Sequence, residues 1–419
     1  MKFRRHALLL RDAMLVAAVA LATLQALRTW VCDRYIVPTG SMEPTLHGDP
    51  EHGDVVLVDK LARSSGLRRG DLAVVRCPGS GQGAVEKYLV KRVAALGNDW
   101  VDFRDGDLWL GPTEQLLQRV VKHPLDDADL RVPWFEWPVR GSDEAGRFLA
   151  LDAVTVGDHG LCLAGTAASD DELLAELRPE ARARRRHGTH QLLPPGCFGT
   201  VRSVDGSYLD AVGHRGAEGE TVLVNDFGLT LWFGARLGAG RSPVTGLLLC
   251  LELRPHVYAW LCSGDQVQFC RDGERTGPPI QSQDVAGVAE VTFGILDGRC
   301  FLAFGEQLVD WPALADGWQD QPLPAARPEP KSLAYFACRG GGTGIRRLQV
   351  FRDLWQFRRP VPLREHHADE VPPGYVYLLG DNSFDSSDSR TNGPYSLQEF
   401  IGRPRCVLGP RARARWLRR

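Results

Sequence analysis

Ten cysteines occur in the chain, but no two of them form a C-x-x-C pair, which excludes the usual zinc and dithiol-redox spacings. A surplus of charge is also missing. Lys and Arg number 50 against 52 Asp and Glu, for a formal net charge of -2, so there is no electrostatic case for a nucleic-acid partner. Beyond the N-terminus, no apolar run is free enough of charge to cross a bilayer. The best of them, Gly246 to Cys262, contains Glu252, Arg254, Pro255 and His256 and reads as two strands joined at a bend. What charge asymmetry exists is local: MKFRR at the start and RARARWLRR at the end are basic, while Asp126 to Asp129 and Asp170 to Glu176 are acid-rich. Basic ends of this kind read as topology signals or solvated tails rather than as binding sites. The cysteines, even in number, fit either disulfides or small buried hydrophobes.

The chain has 419 residues, 43% of them hydrophobic and 24% charged. That suffices for two or three units with real cores. Residues Ala13 to Leu27 read AMLVAAVALATLQAL, and the apolar character continues through Cys32. Only Thr23, Gln25, Arg28 and Thr29 dilute it. A stretch of roughly 20 such residues spans a bilayer, so 12–32 is expected to be a transmembrane anchor. Lys2, Arg4, Arg5 and Arg11 precede it and place 1–11 in the cytoplasm and everything after residue 35 outside it. A cleaved signal peptide is the competing reading, but the stretch is long for one and no small-residue cleavage site followed by a new domain comes after it. A buried core helix would show an amphipathic period, and none is visible.

Four segments after this stretch and one near the C-terminus carry chemistry. In Tyr35 to Gly48, YIVPTGSMEPTLHG, a short strand meets Pro38 and Gly40, and Ser41 falls on the resulting bend. A serine there has an accessible hydroxyl and an outward N–H, which suits a nucleophile and half an oxyanion hole. An ordinary Ser–Gly turn has the same local sequence. GDVVLVDK (53–60) and RGDLAVV (69–75) are turns feeding strands. In Tyr88 to Asp99, YLVKRVAALGND, Lys91 lies inside an apolar strand, where an ammonium must snorkel to water or lose its charge. A desolvated lysine can take a proton from serine. Lys87 and Arg92 compete for the solvated role, and spacing alone does not separate the three. Finally, Val371 to Arg390, VPPGYVYLLGDNSFDSSDSR, is a strand followed by a polar loop in which Asp388 and Arg390 can pair.

In this order, P-T-G-S-M-E-P-T-L, R-G-D-L, Y-L-V-K-R-V and G-D-N-x-x-x-S-x-D-S-R behind an apolar leader resemble the signal peptidase I family over roughly a third of the chain. The resemblance implies an antiparallel β catalytic core, a membrane endopeptidase of the serine–lysine type, and signal-peptide-bearing preproteins as substrates, with membrane lipid alongside and no cofactor or metal. It assigns Ser41 as nucleophile, Lys91 as general base, the Ser41 N–H and Thr39 hydroxyl as oxyanion hole, and Ser386 as orienter of the lysine. Asp388 and Arg390 become the structural pair of the loop. Tyr35, Val37, Pro38, Met42, Leu46 and Val90 become walls of pockets that admit small residues, giving A-x-A-like cleavage. After the lysine the family usually reads V-x-G-L-P-G-D, whereas here Val93 to Asp99 has lost the proline. Asn98 tolerates a left-handed turn, so the bend is expected to survive.

The resemblance stops between about Pro112 and Glu370. Core segments are therefore expected at 33–112 and 358–419, with a connector at 113–198 whose charged stretch Asp170 to His187 is exposed, and an inserted domain at 199–357. In the last, Phe227, Leu229, Leu231 and Phe233 alternate, and Asp-Gly turns at 205, 272 and 297 signal hairpins. The pair VTFGIL-DG-RCFLAF reads as one hairpin. A mainly β chain with an inserted β-sandwich follows, and LQVFRDLWQF resembles the last strand of concanavalin-like sandwiches. Trp232, Trp260, Trp311, Trp318 and Trp355 offer a sugar platform or a core. This keeps open a second function, an envelope protein whose insert binds a glycan or a protein on a peptidase-like scaffold. A self-cleaving serine–lysine regulator is a third, disfavoured by the leader and by the lack of a DNA-binding unit.

Overall fold

The apolar leader folds as one helix, Lys2–Trp30, and the chain turns at Val31 into the strand Cys32–Ile36. The expected span of 12–32 is thus helical only to Trp30. Among the described residues, no helix is long and apolar enough to cross a membrane. From Met14 onward the helix leaves Leu15, Val16, Val19, Leu21, Leu24 and Leu27 exposed. The computed structural model describes residues 2–62, 66–77, 87–104, 106–126, 131–137, 149–150, 154–157, 160–163, 165–166, 168–187, 197–200, 208–209, 215–216, 226–234, 244–253, 256–314, 332–354, 356, 368–383 and 385–417. The chain divides into two compact units, one formed by 1–104, 108–118 and 356–419, the other by 105–107 and 119–355.

The first unit is built on an antiparallel sheet whose strands run in the order Cys32–Ile36, Val55–Asp59, Phe400–Gly409, Leu72–Cys77, Lys87–Leu96, Tyr375–Leu379 and Tyr395–Ser396. Successive side chains of a strand point to opposite faces, and here both faces are covered. Leu72 and Val74 join Val37, Met42, Leu46, Val56, Val58 and Val407 on one side, while Ala73 and Val75 join Val93, Val376, Leu378 and Phe400 on the other. The ten-residue strand Lys87–Leu96 is central, paired with Leu72–Cys77 and Tyr375–Leu379, so its residues 91 to 95 are all buried. The basic tail is not a solvated end. Arg415–Trp416 adds a short strand beside Cys406 and Val407, and Arg413 Nε donates to the fully buried Asp54 at 2.6 Å. A buried carboxylate fixes what would otherwise be a mobile cation.

The second unit is built on two eight-stranded antiparallel sheets, with a separate two-stranded pair, Tyr208–Leu209 and Arg215–Gly216. The alternation read at Phe227 to Phe233 points those side chains into one cluster with Leu247, Leu249, Leu251 and Leu253 of the other sheet and with Phe293 and Ile295. This is a sandwich core in the sense of two inner faces sharing one apolar layer. Val244–Leu253 and His256–Ser263 pair antiparallel, as expected of the broken run. Glu290–Leu296 and Arg299–Phe304 form the expected hairpin, with Asp297 at φ 48° and Gly298 at φ 73°, the left-handed pair of a type I′ turn. Asp272 and Gly273 repeat it at φ 51° and 81°; the turn at 205 lies outside the described residues.

Two expectations for this region need correction. Residues 170–187 are not an exposed connector. They form helices Asp170–Ala175 and Pro179–His187, the first opened by a capping box of Ser169 and Glu172. Leu173, Leu174 and Leu177 pack on the outer face of the second sheet against Leu248, Cys250 and Leu261, and Ala181 is buried as well. The apolar residues at 173, 174, 177 and 181 have helical spacing; the surrounding charge hides it. From residue 119 on, the segment 113–198 is likewise not separate from the insert, because Val132–Trp137 and Gly160–Leu163 pair with Thr343–Arg352. A fragment of residues 105–355 is therefore expected to melt cooperatively with a β-type circular dichroism spectrum, and 199–357, stripped of those strands, to melt lower or not fold. An unfolded 105–355 fragment would refute the autonomy of this unit.

None of the nine cysteines whose side chains are described is in a disulfide, and seven of them are buried. They serve as small core residues. Burial pushes the Cys262 thiol above its usual range and Cys338 up to about 12, so neither is a ready nucleophile.

Candidate active site

Pro38 and Gly40 end the first strand's direction, and Gly40–Met42 makes a single 3-10 turn with Thr39 in extended conformation ahead of it. One turn leaves its first N–H groups without an intrahelical acceptor, and Ser41 is among them. Met42 is fully buried below, so the half-buried Ser41 faces the other way. On the central strand, Lys91 stands opposite Ala73 and is only 2% exposed. Its Nζ donates to Ser41 Oγ at 2.6 Å and to Ser386 Oγ at 3.1 Å. The three residues lie 50 and 295 positions apart in sequence; the sheet order brings them together.

Burial disfavours charge on Lys91 and lowers its pKa to about 8, although Asp388, Asp381 and Asp385 act to raise it and Arg390 adds to the lowering. Desolvation wins, and two of these carboxylates, Asp388 and Asp381, are themselves paired with Arg390 and Arg92. Asp388 is fully buried. Burial would push its carboxyl up, but the Arg390 guanidinium, the Gly380 N–H and the Ser386 hydroxyl hold it below the usual carboxylate range. Arg390 grips it bidentately, Nε at 2.9 Å and Nη2 at 2.5 Å. Asp388 also caps the short helix Ser389–Asn392, which orders the loop's end.

Thr39 Oγ1 lies 3.4 Å from Ser41 Oγ on the exposed side. Val37, Met42 and Leu46 are buried together, with Tyr35 and Val90 partly buried against them. Pro38 is exposed and stands outside that cluster. Asn98 adopts φ 76°, so the expected left-handed turn is present without the proline.

Sequence reasoning missed several residues that shape this site. Gly380 must be glycine: a Cβ there would lie 2.1 Å from Ser386 Oγ and 2.4 Å from the Ser41 carbonyl oxygen. Asn382 holds the serine turn, its backbone N–H donating to Ser41 O and its Nδ2 to Gly40 O, both at 3.2 Å. Arg92 is not a solvated cation. It is 5% exposed and pairs with the fully buried Asp381, Nε to Oδ1 at 2.9 Å and Nη2 to Oδ2 at 2.8 Å, while Thr45 Oγ1 donates to the same carboxylate. Lys87 alone of the strand's three cations is exposed. The triplet G-D-N was the available signal for Gly380 to Asn382.

The described residues contain one group with the composition of a metal site, Asp107, Asp226, Asp297 and Asp353 in the second unit, with ligand atoms within 4.8 Å of one another. Lys122 Nζ stands among them, donating to Asp297 at 2.8 Å and Asp353 at 2.6 Å. Burial opposes its charge, but the carboxylates outweigh that and push its pKa well above the lysine value, so an internal ammonium serves as counter-ion there. Of the five tryptophans considered for a sugar platform, three are described. Trp260 is fully buried, with Nε1 donating to Asp310, and Trp232 and Trp311 are stacked on by Arg347 and Arg299. Trp318 and Trp355 lie outside the described residues.

The family described as signal peptidase, peptidase S26, matches residues 10–128 and 348–408. Signal peptidase I of Mycobacterium tuberculosis, from two strains, is 40% identical over 234 residues, spanning 47% of this chain and 76% of that protein. Signal peptidase I of Aquifex aeolicus is 37% identical over 78 residues, 18% of this chain and 27% of its own length. Among solved structures, sheep galectin-11 in complex with glycerol is similar at 13% identity and TM-score 0.21, covering 30% of this chain and 91% of its own. The Crh5 transglycosylase in complex with NAG is similar at 9% and 0.29, covering 61% and 94%.

Proposed function

Because the chain belongs to the signal peptidase I family, we propose that it removes signal peptides from preproteins by a serine–lysine acyl-enzyme mechanism, with Ser41 as nucleophile and Lys91 as general base. One observation carries this reading: a lysine that is 2% exposed and 2.6 Å from the serine hydroxyl. Neutral Lys91 takes the proton as Ser41 Oγ attacks the scissile carbonyl. The resulting oxyanion is met by the Ser41 N–H and the Thr39 hydroxyl. Lys91, now an ammonium, returns the proton to the leaving amine. The acyl-enzyme that remains is hydrolysed by water, with Lys91 again as base. Ser386 keeps the amine aimed at Ser41 throughout, and the Asp388–Arg390 pair keeps Ser386 in place.

We assign the exposed apolar surface of the N-terminal helix to membrane association, with the stretch 12–32 as the single-pass anchor, its N-terminus cytoplasmic and the peptidase unit on the other side. Lys2, Arg4, Arg5 and Arg11, which precede it, support that orientation.

We assign the apolar cluster of Val37, Met42 and Leu46, flanked by Tyr35 and Val90 and with the exposed Pro38 next to Val37 in sequence, to the walls of pockets that admit small side chains only. Incubation of the detergent-solubilised protein with a secretory precursor is expected to yield cleavage after A-x-A-like sequences, read by mass spectrometry of both products. Large residues placed at the two small positions are expected to lower kcat/KM at least tenfold. Equal rates with large or charged residues there would sink the pocket assignment.

A further inference from the structure

The first unit resumes after the second at Gln356, and this residue has no counterpart among the motifs. It is buried, 6% exposed. Its side-chain amide meets the catalytic loop at three points. Oε1 accepts from Ser383 Oγ at 3.0 Å and from Arg390 Nη1 at 3.3 Å, and Nε2 points to the Gly380 carbonyl at 3.5 Å. Gly380 and Ser383 are themselves buried, and the Arg390 side chain is 5% exposed. Gly380 N–H donates to Asp388, Arg390 grips Asp388, and Ser383 is 1% exposed. A loop rich in Gly, Asp, Asn and Ser has many local hydrogen-bonded conformers to choose from. One amide that accepts from two places and donates near a third selects among them, because any other arrangement strands buried polar groups.

We propose that Gln356 is a positioning residue: from the point where the chain returns to the peptidase unit, its amide fixes Arg390 and Ser383, and through Asp388 and Ser386 it sets the aim of Lys91 at Ser41. The inference rests on the serine–lysine reading above. It assigns Gln356 no contact with substrate.

The test uses the full chain, with steady-state cleavage of a peptide bearing an A-x-A site and thermal melting of each variant. Gln356→Met keeps the length and loses the acceptor. It is expected to lower kcat about tenfold, as a small misplacement of reacting groups does, with KM within about twofold. Gln356→Glu keeps an oxygen for Arg390 and Ser383 and is expected to recover kcat to within about threefold of wild type. Ser383→Ala removes one donor, with a smaller loss that does not add to that of Gln356→Met, since both act through one contact. A filler of space would behave otherwise: Gln356→Met would turn over like wild type, or Gln356→Glu would be no better than Gln356→Met, and either result overturns the proposal. Should Gln356→Met fail to fold, additive losses in Ser383→Ala combined with Gln356→Glu overturn it instead. Ser41→Ala is run in parallel. If it still cleaves, the serine–lysine reading falls and this inference with it. If it is dead while Gln356→Met is normal, only the role of Gln356 falls.

Discussion

Replacing Lys91 by arginine, alanine or methionine is expected to lower turnover about a thousandfold or more, the scale of losing a general base that acts as a unit with its nucleophile. An ordinary lysine near its reference pKa leaves only about three molecules in ten thousand neutral at pH 7. Held at about 8 by burial, roughly a tenth are neutral. The proposed base works when deprotonated, so kcat/KM is expected to rise with pH through about 8 and to level off above it, well below the free-lysine range. Arginine stays protonated at any working pH and cannot accept the proton. Lys87→Ala is the comparator, since Lys87 is exposed on the same strand and its loss is expected to change turnover less than about twofold. Lys91→Met separates catalysis from folding. Exchanging a buried, uncompensated ammonium for an apolar side chain of similar length is expected to leave the melting temperature unchanged or raise it. A well-folded Lys91→Arg enzyme with near-normal turnover would show that another group takes the proton.

That Lys91 lies in an apolar strand was legible from YLVKRV, and that Ser41 lies on a bend from PTGSM. Their meeting was not, because it depends on the order of strands in a sheet closed by residues more than 300 positions away. The resemblance to a family supplied what spacing could not. Hairpins with Asp-Gly turns were readable because the signal is local, two residues that accept positive φ between alternating apolar runs. The helices over 170–187 were missed for the opposite reason: acidic and arginine-rich neighbours dominate the composition, while the three leucines that matter meet a sheet formed far downstream. The C-terminal basic tail misled in the same way. Its arginines look solvated until the buried Asp54 is seen beside Arg413. Gln356 had no sequence signal at all, since a lone glutamine acquires its role only from the loop that folds around it.

Arg92 illustrates how a partner hidden by distance reverses an expectation, and its removal is the second large effect. As a solvated cation it would be dispensable. Buried against Asp381 with two hydrogen bonds, and donating through Nη1 to the Gly70 carbonyl at 2.9 Å, it is the counter-charge of a carboxylate with no exposure. Arg92→Ala leaves that carboxylate uncompensated, with only Thr45 and neighbouring dipoles to hold it. The expected cost is about 3–5 kcal/mol, on the order of 10 °C in the melting of the peptidase unit. Activity is expected to fall as well, because Asp381 adjoins Asn382, whose two hydrogen bonds hold the Ser41 turn. A double-mutant cycle gives the origin of the loss. Replacing Arg92 by Met and Asp381 by Leu together removes both charges, and the pair is expected to be more stable than either single variant, since the dominant penalty is the stranded partner and not the missing attraction. Differential scanning calorimetry with Lys87→Ala as the exposed reference reads this directly. If Arg92→Ala melts within about 0.5 kcal/mol of that reference, the range of surface substitutions, then the ion pair does not brace the loop, and the account of how Ser41 is held must rest on Asn382 and Gly380 alone.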